Sequence, residues 1–177
     1  MSVTQELSIF ESTFAQSDKT DAILVVGEKK LHVNKALLSY HSTYFNTLFN
    51  GEFKEKSMPE IPIEDVKLED FAALLSFIQE NPITPKAPQA EVLLQLADRF
   101  LLAAAKRHVE MLIAMTPKIN LITKLQLADK YNSDVLLKNT LAKLKTKRDF
   151  AAVYKTTVGF SDKTKARIYD AYFSKFL

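Results

Sequence analysis

A short hairpin that runs straight into two short helices is the feature that most limits what this chain can become. Residues 21–55 read DAILVVGEKKLHVNKALLSYHSTYFNTLFNGEFKE. DAILVV is short, apolar and rich in β-branched residues, which predicts a buried strand. Gly27-Glu28 is a turn signal, and KKLHV then alternates polar and apolar as a second, hairpin-paired strand does. Asn34 is placed to cap a short helix over 35–40, and Ser42 to cap another. In that second helix Phe45, Leu48 and Phe49 recur at i, i+3, i+4 and make one apolar face. This order of elements builds a packed unit, not a catalytic loop.

The chain has 177 residues, enough for one good core or one domain with a helical extension. Its apolar content is 47%, yet no apolar run approaches the roughly 20 residues a membrane span needs. MSVTQELSIF lacks the basic and apolar regions of a signal peptide. With Cys 0 there are no disulfides, thiolate zinc sites or cysteine nucleophiles. An intracellular location, cytoplasmic or nuclear, without membrane association is the expectation. Net charge is unevenly placed. Residues 1–100 hold nine Lys/Arg against fifteen Asp/Glu, net −6, and residues 101–177 hold fifteen against six, net +9. A basic second half suits an acidic partner surface or nucleic acid. The lysines are scattered rather than clustered, which favours solvated helix faces, so nucleic acid is not the expected partner.

Before the hairpin, Leu7, Phe10 and Phe14 fall at i, i+3, i+7, one face of an amphipathic helix over residues 2–17. A three-turn helix is marginal alone and must pack on something. After the second short helix, Glu60-Ile61-Pro62-Ile63 predicts a short strand, with Pro62 arguing for a sheet edge. Leu68, Phe71, Leu74, Leu75 and Ile78 predict a long helix ending near Asn81-Pro82. Prolines at 82, 85 and 88 then stiffen the connection to a helix starting near Pro88 or Gln89.

From there the chain repeats itself. Leu94-Gln95-Leu96-Ala97-Asp98-Arg99-Phe100 recurs 31 residues later as Leu125-Gln126-Leu127-Ala128-Asp129-Lys130-Tyr131. Two stacked helical hairpins account for the pattern, the second opening at Thr116-Pro117 and turning at Asn132-Ser133-Asp134. Two more helices are expected over 147–156 and 162–176, broken near Gly159, with Ser161 as a cap. Tyr169, Tyr172, Phe173 and Phe176 form the apolar side of the last.

No residue pattern supports catalysis or a cofactor. His32, His41 and His108 are far apart and form no metal-ligand spacing. The three glycines, Gly27, Gly51 and Gly159, cannot build a phosphate-cradling loop, and there is no nucleophile elbow. Neither an enzymatic activity, a metal nor a cofactor is expected.

The succession Asp21, Leu24-Val25-Val26, His32-Val33-Asn34-Lys35, Leu37-Leu38, Ser42, Phe45, Phe49 and Phe53-Lys54-Glu55 closely resembles a BTB (POZ) domain, most of all the branch found in MATH–BTB proteins. The resemblance continues through 61–63, 71–78 and 93–115. It departs at Gln79-Glu80-Asn81-Pro82, where the family usually has an aromatic-glycine turn. The helices beyond it resemble the 3-box or the start of a BACK region. The implied fold is α/β: a small, mainly three-stranded sheet flanked by helices, then an all-α helical-hairpin extension. The implied organisation is an N-terminal dimerisation helix and joint over 1–20, a BTB/POZ domain over 21–115 and the extension over 116–177.

The resemblance also implies a function and a set of residues. The function is a non-enzymatic adaptor, homodimeric or paired with a related BTB protein, that recruits a cullin-3 ubiquitin ligase to a protein substrate. The alternatives are a dimeric, corepressor-type scaffold without cullin binding and a nucleic-acid binder that uses the basic second half. Leu7, Phe10 and Phe14 would pack across the dimer or, failing that, on their own subunit. Asp21 and Lys35 match a charged pair near the family's dimer interface. Phe53-Lys54-Glu55 matches the apolar-x-Glu motif that contacts cullin-3, with Tyr44 and Leu48 on the preceding helix lining the same face. No MATH domain, kelch repeat or zinc finger is present in this sequence. Substrate is therefore expected to reach the C-terminal helices or a MATH-bearing partner, unless the chain occupies cullin as a competitor.

Overall fold

The β-branched run forms a strand whose edges pair with its neighbours while alternate side chains enter the core. In the computed structural model, which describes residues 9–51 and 58–177, β1 (Ala22–Val26) buries Ala22, Leu24 and Val26 and leaves the alternate residues half-covered. It pairs antiparallel with β2 (Lys29–Val33), Leu24 opposite Leu31. The two-residue link has positive φ only at Gly27, at 60°, the backbone sign that a type II′ hairpin asks of its first loop residue. β3 (Ile61–Pro62) adds parallel to β1 at the far edge, giving the order β2-β1-β3. Pro62 sits where a missing N–H costs the ladder least, and the next amide, Ile63 N, donates to Val25 O at 2.8 Å. This is the mixed α/β fold with a small three-stranded sheet that was expected.

The chain divides into two compact units, Met1–His108 and Val109–Leu177. In the first, α1 (Ile9–Thr13) packs on α4 (Leu68–Ser76). Helix α2 (Lys35–His41) begins at Asn34, whose side chain accepts from Leu37 N. Helix α3 (Thr43–Asn50) begins at Ser42, whose hydroxyl accepts from Phe45 N. Every residue of α4 from Asp70 to Ser76 is buried, so this helix is the centre of the unit. It ends at Ser76, short of the expected Asn81-Pro82. The reason is a buried hydroxyl: Ser76 Oγ donates to Ala73 O and accepts from Ile83 N at 2.9 Å, folding the chain back. Farther along, Gln89 Nε2 donates to the buried Asp70 carboxylate at 2.7 Å and pins the proline-rich connection to α4. Helix α5 (Ala90–Arg99) then packs chiefly on α4.

Helix α6 (Ala103–Met115) runs through the division at His108/Val109. In the second unit α7 (Leu121–Lys130) packs on α8 (Asp134–Leu141), and α10 (Asp162–Phe176) on α9 (Lys147–Tyr154) and α8. The expected cap at Thr116-Pro117 is not the start of α7. Asn120 caps it, accepting from Thr123 N, while Thr116 Oγ1 turns back to Leu112 O. Ser133 and Ser161 cap α8 and α10, and a reciprocal Thr146/Asp149 capping box opens α9.

The sequence repeat is a repeat of helix endings. Leu101 and Asn132 both have left-handed φ, 49° and 47°. Around each, the same two hydrogen bonds close the helix: Leu101 N to Asp98 O and Leu102 N to Ala97 O, then Asn132 N to Asp129 O and Ser133 N to Ala128 O. That is the Schellman arrangement, used twice at an offset of 31 residues. The pairing of helices is not repeated. Helix α5 leans chiefly on α4, which precedes it, whereas α7 leans on α8, the next helix in the chain.

Candidate interaction surface

Helix α3 is held by one serine side chain and a cluster of four rings. Ser42 Oγ, besides capping α3, donates to the carbonyl of Phe100 at 2.6 Å, and Ser42 bridges to Leu102. Phe45 stacks on Phe49 and Phe100 with centroids 5.8 Å apart in each case, and Phe71 closes on Phe100 at 5.0 Å. With Phe45 and Phe49 turned inward, Tyr44 and Leu48 share the outer flank at i, i+4, each half-buried. The Tyr44 ring meets Phe45 and Phe100 edge-on at 5.2 and 5.1 Å. Its position is therefore set by two buried rings that stack on each other. Phe53 and Glu55 lie outside the described residues.

The residues expected at a dimer interface separate. Phe14 does not offer a surface: it is 1% exposed and already belongs to its own subunit's core. Its carbonyl accepts from His32 N at 3.0 Å, which ties the segment to β2. Phe10 is half-buried, and Leu7 lies outside the described residues. Asp21 and Lys35 do meet, but not as two side-chain charges. Asp21 Oδ1 accepts from the backbone N–H of Lys35 at 2.7 Å, while the Lys35 ammonium lies 5.8 Å from the Phe49 ring centre. The carboxylate is a helix-start acceptor at α2, a use the macrodipole favours.

Three lysines of the basic second half donate to main-chain carbonyls, and one of them is buried. Lys124 is buried, and its ammonium donates to Ala114 O and Thr116 O at 3.0 and 2.8 Å; Lys143 Nζ also donates to Ala114 O. Burial first, then the neighbouring Lys143 charge, lowers the Lys124 pKa from its ordinary value. Lys175 Nζ donates to Leu144 O at 2.6 Å. Cations at the carbonyl ends of helices satisfy groups that the helix leaves open. Sequence reading missed this because a helix end becomes a ligand for a distant lysine only once the chain is folded.

Among the described residues no group of three or more His, Cys, Asp or Glu is placed to hold a metal ion. His108 stacks on Phe77 with centroids 5.6 Å apart, and its Nδ1 lies 3.1 Å from Ala104 O. Among the described residues no helix is long and apolar enough to cross a membrane.

The sequence model of the BTB/POZ domain matches residues 10–117. The chain is 33% identical over 134 residues to BTB and MATH domain-containing protein 36 of Caenorhabditis elegans, covering 76% of this chain and 42% of that protein. It is 35% identical over 158 residues to BTB and MATH domain-containing protein 38 of the same organism, covering 86% of this chain and 40% of that protein. The chain thus spans about two-fifths of the length of these curated relatives. Among solved structures, the BTB domain of human gigaxonin is similar over 58% of this chain and 83% of its own length, at 23% identity and a TM-score of 0.47.

Proposed function

We propose, since the chain belongs to the BTB/POZ domain family, that it is a dimeric adaptor that recruits a cullin-3 ubiquitin ligase. The BTB/POZ domain is a protein-interaction fold, and the relatives include proteins named for BTB and MATH domains together. The finer reading assigns the cullin contact to Tyr44 and Leu48 on α3, continued by Phe53 and Glu55. One observation carries it. Tyr44 rests edge-on against the stacked Phe45 and Phe100 rings on a helix whose start is locked by Ser42, yet it remains half-exposed. An aromatic group already ordered in the free protein loses little entropy when it anchors a partner. Dimerisation is assigned to the N-terminal region through Phe10, with Leu7 beside it in sequence and Asp21 and Lys35 near the joint. Protein substrate comes through the C-terminal helices or a MATH-bearing partner.

Calorimetry of the cullin-3 N-terminal domain against the full chain tests the reading. Tyr44→Ala and Phe53→Ala should each weaken binding by about 1–3 kcal/mol, roughly 5- to 150-fold, with the dimer intact by sedimentation. A wild-type chain that dimerises and does not bind cullin-3 would replace the adaptor with a dimeric scaffold. Unchanged affinity in both variants would remove α3 from the contact.

A further inference from the structure

Helix α10 is fifteen residues long, yet only Thr164 and Ile168 of it are buried. Its C-terminal half carries Tyr169, Tyr172, Phe173 and Phe176, an apolar side that an amphipathic helix normally closes against a neighbour. Here the closure is partial. Phe150 of α9 takes edge contacts from Tyr172 at 5.5 Å and Phe176 at 5.8 Å, and Phe150 and Tyr172 make a floor. Tyr154, Tyr169 and Phe173 rise from it, 61%, 41% and 52% exposed. The result is a groove of about 450 Å³ between α9 and α10. The charged residues along it are Lys147 and Lys155; no carboxylate lines it among the described residues. The Lys147 ammonium sits 5.8 Å from the centre of the Phe176 ring.

The charge says what suits the groove. Residues 145–177 hold eight Lys/Arg against three Asp/Glu, net +5. A second copy of this face would set like charge against like charge, which opposes association. A segment with carboxylates beside its apolar residues satisfies both the rings and the lysines. Grooves between two helices take a third amphipathic helix through anchors at i, i+3 or i+4, and i+7, and Tyr and Phe are the residue types that concentrate binding energy at such surfaces. We propose that the α9–α10 groove docks an acidic amphipathic helix from a partner protein. Its apolar side chains lie among Tyr154, Tyr169 and Phe173, and its Asp or Glu residues face Lys147 and Lys155. The inference shares no residue with the α3 surface, and its test does not involve cullin-3.

The test uses three labelled peptides and the full chain, read by fluorescence anisotropy. One peptide is helical with Leu at i, i+3, i+4, i+7 and Glu elsewhere, one replaces Glu with Lys, and one scrambles the first. The acidic amphipathic peptide should bind at least about tenfold more tightly than either control, and more weakly as salt rises. A Tyr169→Ala/Phe173→Ala chain should lose that binding by about tenfold or more while melting like wild type, since both residues are exposed. A Lys147→Glu/Lys155→Glu chain should turn its preference to the Lys-bearing peptide, a reversal that a damaged fold cannot produce, and it keeps the test valid if the first variant fails to fold. Equal binding of the scrambled peptide, or no reversal in the charge-swapped chain, overturns the proposal. So does sedimentation showing wild-type self-association that Tyr169→Ala/Phe173→Ala abolishes, because the groove then belongs to a second copy.

Discussion

The hydroxyl of Ser42 donates to the carbonyl oxygen of Phe100, 58 residues further along the chain, at 2.6 Å, while accepting from Phe45 N at 3.1 Å. One small side chain thereby caps α3 and fastens it to the end of α5. Because the Tyr44 ring rests on both Phe45 and Phe100, the bond bears on the orientation of the candidate surface as well as on the fold. Ser42→Ala should cost about 1–3 kcal/mol in chemical denaturation, from the lost cap and a buried carbonyl left without its donor. A loss under about 0.5 kcal/mol would show that neither contact matters to stability.

Leu101 holds left-handed φ that suits glycine or asparagine, and it is 55% exposed. Asn132 fills the equivalent place in the second copy. Leu101→Asn should therefore raise stability by about 0.5–1 kcal/mol, since it relieves a backbone conformation disfavoured for branched side chains and gives up little burial. Asn132→Leu should do the reverse. Equal melting temperatures for Leu101→Asn and wild type would contradict the argument.

Both repeat aspartates bind residues farther along the chain. Asp98 accepts from Lys106 Nζ at 2.8 Å, and Asp129 accepts from Ser161 N at 3.1 Å and from the Ser161 hydroxyl. Burial works to raise the Asp129 carboxyl, but the hydrogen bonds from Ser161 and Thr164 outweigh it and hold its pKa below the ordinary 3.8. A carboxylate depressed by folding contributes stability above its unfolded pKa and loses it as pH falls through the folded value. Asp129→Asn should thus be less stable than wild type at neutral pH, and the gap should close below about pH 4. Denaturation midpoints across that range decide it; a gap that stays constant would assign the loss to packing instead of charge.

Leu96 and Leu127 occupy the same place in the two copies and are each 5% exposed. Truncating either to Ala should cost roughly 2–5 kcal/mol in urea unfolding. A cost below about half a kcal/mol at both positions would mean that the two helices do not depend on this shared position.

Much of the fold was legible because its causes are local. Alternation and β-branching define β1 and β2, and Gly27 supplies the positive φ between them. Asn34, Ser42, Ser133 and Ser161 cap the helices they precede, since a cap depends only on residues two or three places away. Tyr44 and Leu48 could be assigned to one helix face for the same reason.

Other features depended on partners far along the chain. Apolar spacing marks Phe14 as buried but carries no record of what buries it, and the folded chain closes it into its own subunit. Helix α4 stops at Ser76 because that hydroxyl finds Ile83 N, and Lys124 is buried because α6 ends where its ammonium can reach the last carbonyls. The aromatic side of α10 was visible as a pattern. That it is only half covered, with lysines at its edge, comes from how α9 and α10 pack. Short-range hydrogen bonds and side-chain periodicity are properties of the sequence, whereas the identity of the surface that covers a face, and of the group that satisfies a helix end, is settled by tertiary packing.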